Sequence, residues 1–124
     1  MSSHLIFIVD DEPVLRQLLE HHITSWGHTA RTFPDAESCL AALDDGPDLI
    51  LMDIGMPGSG GVEALRRLRE ADPELPVIML SAQESVEVAV RTWKLGAYEY
   101  LTKPPDLARL EATVRAGLHV RSLA

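Results

Sequence analysis

Carboxyl groups directly follow two apolar runs in this 124-residue chain. Asp10 and Asp11 come after residues 5–9, and Asp53 comes after residues 49–52. A buried charge at the end of an apolar strand is costly unless a counter-charge lies beside it. Where carboxylates are crowded together, a divalent cation relieves their repulsion, and hard oxygen ligands favour Mg²⁺. Together these residues predict a magnesium site that shares its remaining ligand positions with a phosphate.

Two further polar side chains follow apolar runs later in the chain. Ser81 comes after residues 77–80 and supplies a hydroxyl donor, and Lys103 comes after residues 98–101 and supplies an ammonium group for a phosphate. A carboxylate beside a metal ion can also act as a nucleophile and form an aspartyl phosphate. Asp53, at the end of the central run, is the best candidate for that role.

Each of these side chains also has an ordinary interpretation. Asp10, Asp11 and Glu12 could cap the helix that begins at Pro13, because acidic residues favour helix N-termini. Lys103 could be a solvated charge and Ser81 a loop hydroxyl. The glycines of residues 55–61 match neither phosphate-binding glycine motif, and so indicate a flexible loop. Capping explains one carboxylate well, but it does not explain Asp53.

The elements that must position these residues alternate between strands and helices. Strands are predicted over residues 5–9, 28–33, 49–52, 77–80 and 98–101. Helices are predicted from Pro13 to the cap at Gly27, over residues 35–43, 62–71 and 85–95, and from Leu107 onward. Three strands are continuously apolar, which is typical of strands that are covered on both faces.

This alternation predicts an α/β fold, a single doubly wound parallel sheet with helices on both faces. The expected strand order is 2-1-3-4-5, with the second and fifth strands at the edges. The topological switch then lies between strands 1 and 3, and ligands bind there beyond the carboxyl ends of the strands. Asp10, Asp11, Asp53, Ser81 and Lys103 all belong to that edge.

Charge, cysteine count and length limit the binding partners, the cellular location and the number of domains. A formal charge of −8 argues against direct binding of nucleic acid or anionic membrane by this segment. One cysteine, Cys39, rules out an internal disulfide and favours a cytoplasmic location. The opening residues match neither a signal peptide nor a membrane span. The length suits one domain over residues 1–124.

Four motifs in this order and spacing resemble the receiver domain of bacterial two-component response regulators. They are VDDEP (9–13), MDIGMPGSGG (52–61), VIMLSA (77–82) and GAYEYLTKP (96–104). The resemblance covers nearly the whole chain. It implies a flavodoxin-like receiver fold and a phosphorylation-dependent signalling switch, which catalyses its own phosphotransfer and autodephosphorylation and is no metabolic enzyme.

The resemblance also assigns roles to individual residues. It makes Asp53 the phosphoacceptor, supplied by a sensor histidine kinase or a phosphotransfer protein. Mg²⁺ is bound directly by Asp11, Asp53 and the backbone carbonyl of Gly55, and through water by Asp10. Lys103 and Ser81 contact the phosphoryl group, Tyr100 is the aromatic switch residue, and the Lys103–Pro104 bond is expected to be cis.

Some positions depart from the common pattern of the family. Gly55 places no side chain over the phosphate, and Ala82 leaves room for an attacking group. Gln83 and Glu84 are positioned to hold or to repel water there, so the rate of dephosphorylation is open. Pro105 stands where an aromatic or aliphatic residue is frequent, which affects the start of the last helix.

The sequence gives weaker evidence on what the domain controls than on its site. Residues 89–118 resemble receivers of the nitrogen-regulation type, so transcription control through a C-terminal module is expected, with a stand-alone receiver as the alternative. Charged residues of the last two helices could form a homodimer face together with strand 5, or be ordinary solvated positions. They are Glu87, Arg91, Lys94, Arg109 and Arg115.

Three functions from other classes compete with the receiver. A Mg²⁺-dependent phosphatase with an aspartyl nucleophile would need a second Asp where Gly55 stands. An unphosphorylated docking module would not need Asp53 and Lys103 intact. A flavodoxin-like cofactor binder would need a phosphate-binding loop after strand 1.

Overall fold

Five β-strands alternate with five α-helices in the part of the chain that the structure describes. The structure is a computed structural model and describes residues 3–56, 60–82 and 85–123. The strands are β1 (Leu5–Val9), β2 (Thr29–Phe33), β3 (Leu49–Asp53), β4 (Val77–Ser81) and β5 (Glu99–Thr102). The helices are α1 (Pro13–Ser25), α2 (Ala36–Ala41), α3 (Gly60–Ala71), α4 (Val86–Lys94) and α5 (Leu107–Ser122), and a 3-10 helix (Leu43–Asp45) follows α2.

All strands are parallel and lie in the order β2-β1-β3-β4-β5, which confirms the predicted fold class and strand order. The chain crosses from one side of β1 to the other between β2 and β3. The ends of β1 and β3 therefore lie next to each other, with Val9 paired with Met52. This pairing creates the predicted switch point at the carboxyl edge of the sheet.

Two apolar clusters cover the two faces of the sheet. Successive residues of β1 alternate between them: Phe7 and Val9 pack on the side of α2 and α3, and Ile6 and Ile8 pack on the side of α1 and α5. All four side chains are at most 1% exposed. Burial on both faces explains why the central strands are continuously apolar rather than alternating.

Helix α4 is attached less tightly than the others. Its one fully buried residue among the described side chains is Thr92, whereas Val86 and Trp93 are 82% and 60% exposed. An element with few buried apolar contacts opens or shifts at a low free-energy cost. Helix α4 is therefore the helix of this fold that is easiest to displace.

Several predicted boundaries were wrong by one or two residues. Asp35 and Ser85 are N-caps whose side chains accept backbone hydrogen bonds, so α2 and α4 begin one residue later than predicted. The second predicted helix also ends early, with its last turn in the 3-10 form.

The strand ends shift for a similar local reason. β2 begins at Thr29 because the His28 amide donates to Ile23 O and so belongs to the turn after α1. β3 and β4 include Asp53 and Ser81, and β5 runs one residue later than predicted. The glycine loop is also shorter, because Gly60 and Gly61 belong to α3.

Three residues with predicted roles lie outside the described residues. They are Gly58, predicted to lie in the glycine loop, and Gln83 and Glu84, predicted to hold or repel water. No helix in the described ranges has both the length and the apolar character that crossing a bilayer requires.

Asp72 and Arg121 join the end of α5 to the turn that precedes β4. The Arg121 guanidinium donates to both carboxylate oxygens, with Nη2 at 2.8 Å from Oδ2 and Nη1 at 3.2 Å from Oδ1. These hydrogen bonds lower the pKa of Asp72. The pair thus stabilises the fold above the ordinary carboxyl pKa, and this contribution is lost as the pH falls through the lowered value.

We expect Asp72→Asn to lower the free energy of unfolding by about 1 kcal/mol at neutral pH, since a partly exposed bidentate pair is lost. The difference from the wild type should shrink as the pH falls from about 3.8 through the lowered pKa, because this carboxyl takes up its proton first in the unfolded chain and then in the folded one. Urea unfolding at pH about 7 and about 3 measures both values. Asp44→Asn, at an exposed position, is the control; equal destabilisation by Asp72→Asn at both pH values would contradict the assignment.

Candidate functional site

Three buried charged side chains meet at the carboxyl edge of the sheet. Lys103 Nζ lies 2.8 Å from Asp10 Oδ2 and 3.0 Å from Asp53 Oδ1. The side chains are 8%, 1% and 5% exposed, respectively. Lys103 Nζ also lies 3.5 Å from Oε1 of Glu12, whose side chain is largely in solvent. Two of the predicted carboxylates, Asp10 and Asp53, are therefore in direct contact with the predicted lysine.

The topology explains how residues so far apart in sequence come together. Asp53 continues the alternation of Leu49 and Leu51, which face α1 and α5, so its carboxylate lies on that side of the sheet. Asp10 follows the neighbouring strand β1 in the same phase. Lys103 follows β5, two strands away from β3, and its long aliphatic stem spans the end of β4 between them.

Lys103 remains an ammonium group in this site. Burial lowers the pKa of Lys103, but hydrogen bonds and charges from Asp10 and Asp53 outweigh it and raise the pKa above its ordinary value. The Lys103 ammonium therefore contributes to stability at neutral pH, and this contribution is lost as the pH rises past the raised pKa.

The Asp10 residue is held at its backbone and at its side chain. Its amide donates to Phe33 O at 3.1 Å, and its Oδ1 accepts the Glu12 amide at 2.9 Å. Its buried Oδ2 receives no hydrogen bond from any described amide or hydroxyl, and the Lys103 ammonium is its counter-charge.

The helix-capping interpretation of the acidic residues is not supported by this geometry. The N-cap of α1 is Glu12, and its side chain makes no capping hydrogen bond. Asp10 accepts from the Glu12 amide, which precedes the helix. Pro13 opens the helix, as predicted, and needs no donor there.

Asp11 and Glu12 extend the charged site toward solvent. Carboxylate oxygens of Asp10, Asp11 and Glu12 lie within 4.8 Å of one another, with Asp10 buried and the other two exposed. Asp53 joins this group through the lysine that it shares with Asp10. The donor set contains oxygen alone, which suits a hard cation such as Mg²⁺ rather than Zn²⁺.

The turn after β3 orients the Asp53 carboxylate. The Gly55 amide donates to Asp53 Oδ1 at 3.0 Å, and the Ile54 amide donates to Leu80 O at 2.9 Å. Gly55 itself is exposed. Gly55 carries no side chain that would cover the carboxylate.

Ser81 and Tyr100 lie on the two strands beyond β3. Ser81 ends β4, is 8% exposed and pairs with Thr102 of β5. Tyr100 is half-buried and pairs with Met79. The Lys103–Pro104 peptide is cis, which confirms that expectation. The polar residue at the end of an apolar run predicted Ser81 at this edge, whereas the family resemblance alone singled out Tyr100 as a switch residue.

Two contacts of the site were not predicted. Arg16 Nη1 of α1 donates to Asp10 O at 2.7 Å, and Glu12 approaches Lys103. The adjacency of Glu12 to Asp11 in the sequence could have suggested the second contact. Arg16 lies on an amphipathic helix, where a charged residue outside the apolar face is ordinary, so nothing in the local sequence distinguishes it.

Comparison with known proteins agrees with this architecture. A family model described as the response regulator receiver domain matches residues 6–115. The DNA-binding transcriptional regulator NtrC of Salmonella typhimurium is 35% identical over 119 residues, and the C4-dicarboxylate transport transcriptional regulatory protein DctD of Pseudomonas aeruginosa is 39% identical over 119 residues. The matched region covers 95% of this chain but only 25% and 26% of those relatives.

Solved structures with the same fold include longer and equally short chains. NtrX from Brucella abortus matches with a TM-score of 0.91 and 35% identity, over 98% of this chain and 28% of NtrX. A CheY-like receiver domain protein from Methanospirillum hungatei matches with a TM-score of 0.92 and 25% identity, over 98% of both chains. The fold is therefore shared with isolated receivers and with receivers of larger regulators.

The packing of α3 behind Asp53 depends on one glycine. A Cβ at Gly61 would lie 2.3 Å from Asp53 O and 2.6 Å from Ile54 Cα, both backbone atoms. We expect Gly61→Ala to lower the free energy of unfolding by about 2 kcal/mol, because the backbone under Asp53 must move. Urea unfolding at neutral pH measures the loss.

Gly117→Ala is the matched control, since it also lies in a helix and its Cβ would meet Leu49 Cδ1, the end of a side chain, at 2.9 Å. A side chain can shift, and alanine gains about 1 kcal/mol of helix propensity, so the control should lose less. A larger loss for Gly117→Ala than for Gly61→Ala would contradict this ranking.

Proposed function

Because this chain belongs to the response regulator receiver domain family, we propose that Asp53 accepts a phosphoryl group and that the phosphorylated chain signals through a changed surface. The observation that carries the proposal is the convergence of Asp10, Asp53 and Lys103, all nearly buried, at the switch point of the sheet. Receiver domains of response regulators interact with histidine kinases, so the proposed donor is a phosphohistidine of a sensor kinase or of a phosphotransfer protein.

The acidic cluster fits Mg²⁺, which receiver domains generally bind at an acidic pocket. The buried Asp10 Oδ2 accepts no hydrogen bond from an amide or hydroxyl of the described residues. The side-chain atoms of the acidic cluster that could bind a metal ion are all carboxylate oxygens. Asp11, Asp53 and the Gly55 carbonyl would hold the ion directly, and Asp10 would hold it through water. When bound, the ion neutralises charge on the phosphoryl oxygens.

Besides a metal ion, phosphoryl transfer requires an oriented nucleophile and groups that contact the phosphoryl oxygens, and side chains of this protein would supply both. A carboxylate oxygen of Asp53 attacks phosphorus, a P–O bond forms as the P–N bond to the donor histidine breaks, and the imidazole leaves. The Gly55 amide and Lys103 both contact Asp53 Oδ1 and so hold that oxygen in place. Lys103 and Ser81 would then contact the oxygens of the transferred group, in a site pre-arranged for negative charge.

The conformational response would pass through β4, β5 and α4. Ser81 and Tyr100 lie on adjacent strands, and a shift of the Ser81 hydroxyl toward a phosphoryl group would make room for Tyr100 to turn inward. Helix α4 follows β4 in the chain and is loosely attached. A new charge at Asp53 would thus bias the position of the element that is easiest to move.

The output surface of this proposal comprises α4, β5 and α5. Val86, Val90 and Trp93 are exposed on α4 beside the charged positions expected to form a dimer face. We infer that this face supports homodimer formation and that the receiver spans residues 1–124. The chain spans about a quarter of the length of its NtrC and DctD relatives. The same proposal includes transcription control through a further module and a cytoplasmic location.

The phosphoacceptor is tested by intact-mass measurement after incubation with acetyl phosphate and Mg²⁺. We expect one added phosphoryl group on the wild type and none on Asp53→Asn, because an amide oxygen is a poor nucleophile. Asp44→Asn, in the exposed 3-10 helix, is the control and should be labelled like the wild type. Equal labelling of Asp53→Asn would exclude Asp53, and hydrolysis of a free phosphomonoester would indicate a phosphatase instead.

Lys103 competes with a metal ion for the same carboxylates. We expect Lys103→Met to lose about 3 kcal/mol of stability without Mg²⁺, since two buried carboxylates lose their counter-charge. Added Mg²⁺ should then raise the melting temperature of Lys103→Met by more than that of the wild type. Thermal unfolding followed by circular dichroism, with and without Mg²⁺, measures both effects. Lys94→Met, at an exposed position of α4, should respond like the wild type.

A further inference from the structure

The side chain of Arg16 reaches from α1 back to the end of β1. Its Nη1 donates to Asp10 O at 2.7 Å, a short hydrogen bond for a charged donor. The Arg16 amide donates to Glu12 O at 3.0 Å, so the residue itself is fixed in the first turns of α1. Arg16 is half-buried and lies beside the acidic cluster without belonging to it.

The carbonyl that Arg16 holds belongs to the peptide that joins Asp10 to Asp11. A peptide group is planar, so fixing the direction of this carbonyl also fixes the direction of the Asp11 amide. The plane in turn sets the directions in which the side chains of Asp10 and Asp11 leave the backbone. One hydrogen bond from Arg16 thus orients two carboxylates of the cluster.

The other contacts of Asp10 hold this peptide less directly. The Asp10 amide donates to Phe33 O and so holds the preceding peptide, and Lys103 holds Oδ2. The Glu12 amide donates to Asp10 Oδ1 and closes a turn across the Asp10–Asp11 peptide, but it does not contact the Asp10 carbonyl. Among the described residues, Arg16 is the side-chain donor to Asp10 O. Loss of that donor would leave the turn closed by the Glu12 amide as the remaining restraint on this peptide, so the direction of the Asp10 carbonyl and of Asp11 would be less well fixed.

The charge of Arg16 by itself would act in the opposite direction. Four carboxyl groups, from Asp10, Asp11, Glu12 and Asp53, face the cations Lys103 and Arg16, which leaves two formal negative charges. A further positive charge near a cation site weakens cation binding. A purely electrostatic role therefore predicts that removing Arg16 tightens Mg²⁺ binding, whereas a positioning role predicts that it weakens the binding.

We propose that Arg16 is a positioning residue of the magnesium site, holding the Asp10–Asp11 peptide so that both carboxylates face the ion. This inference rests on the proposed function, since it concerns the same site. Its effect should resemble that of other groups that orient metal ligands, whose loss weakens metal binding about 10-fold or more.

The test is calorimetric titration of the whole chain with Mg²⁺, without a phosphodonor. We expect Arg16→Gln to weaken Mg²⁺ binding about tenfold, and Arg16→Lys to recover part of it, since lysine keeps a donor but lacks the planar fork. Arg115→Gln, on the exposed face of α5, removes the same charge elsewhere and should bind Mg²⁺ like the wild type. Circular dichroism confirms that each variant is folded at the titration temperature.

An unchanged or tighter Mg²⁺ affinity of Arg16→Gln would overturn the inference, as would equal weakening by Arg115→Gln. If Arg16→Gln does not fold, Arg16→Lys decides: weaker binding than in the wild type supports the inference, and equal binding overturns it. Failure of the proposed function has a different signature, because the wild type itself would then neither bind Mg²⁺ nor be labelled by acetyl phosphate.

Discussion

A lysine ammonium enclosed by carboxylates from two neighbouring strands is the interaction on which the carboxyl edge of this sheet depends. Each charge alone would be too costly to bury at the end of an apolar strand. Together, Asp10, Asp53 and Lys103 satisfy one another at 2.8 and 3.0 Å. The three charged residues belong to the ends of β1, β3 and β5, so these ion pairs can form only after all three strands have joined the sheet.

The same ion pairs place a constraint on function. A buried lysine that already neutralises two carboxylates must share them with any metal ion or phosphoryl group that enters. Ligand binding therefore redistributes contacts within the cluster instead of adding to an empty surface. Lys103 immediately follows β5 and Ser81 ends β4, so under the proposed function such a redistribution would act first on the two strands between which α4 lies in the chain.

The fold and much of the site follow from short-range features of the sequence. Continuous apolar runs located β1, β3 and β4, because strands covered on both faces need apolar residues at every position. Polar residues at the ends of those runs located Asp10, Asp53 and Ser81. Element boundaries were less predictable, because Asp35 and Ser85 can serve equally as helix residues or as caps until their backbone geometry is known. Arg16 was missed for a related reason: its partner is a backbone carbonyl, which carries no residue-type signal.

The two tryptophans lie in different environments, neither of them within the acidic cluster. Trp26 follows α1 and stacks on His22, with ring centroids 6.0 Å apart, whereas Trp93 projects from α4 and is 60% exposed. The fluorescence of Trp26 should thus stay constant when α4 moves, whereas the fluorescence of Trp93 should change. The protein carries an intrinsic fluorophore on its most displaceable element, so a rearrangement of α4 can be followed optically without an attached dye.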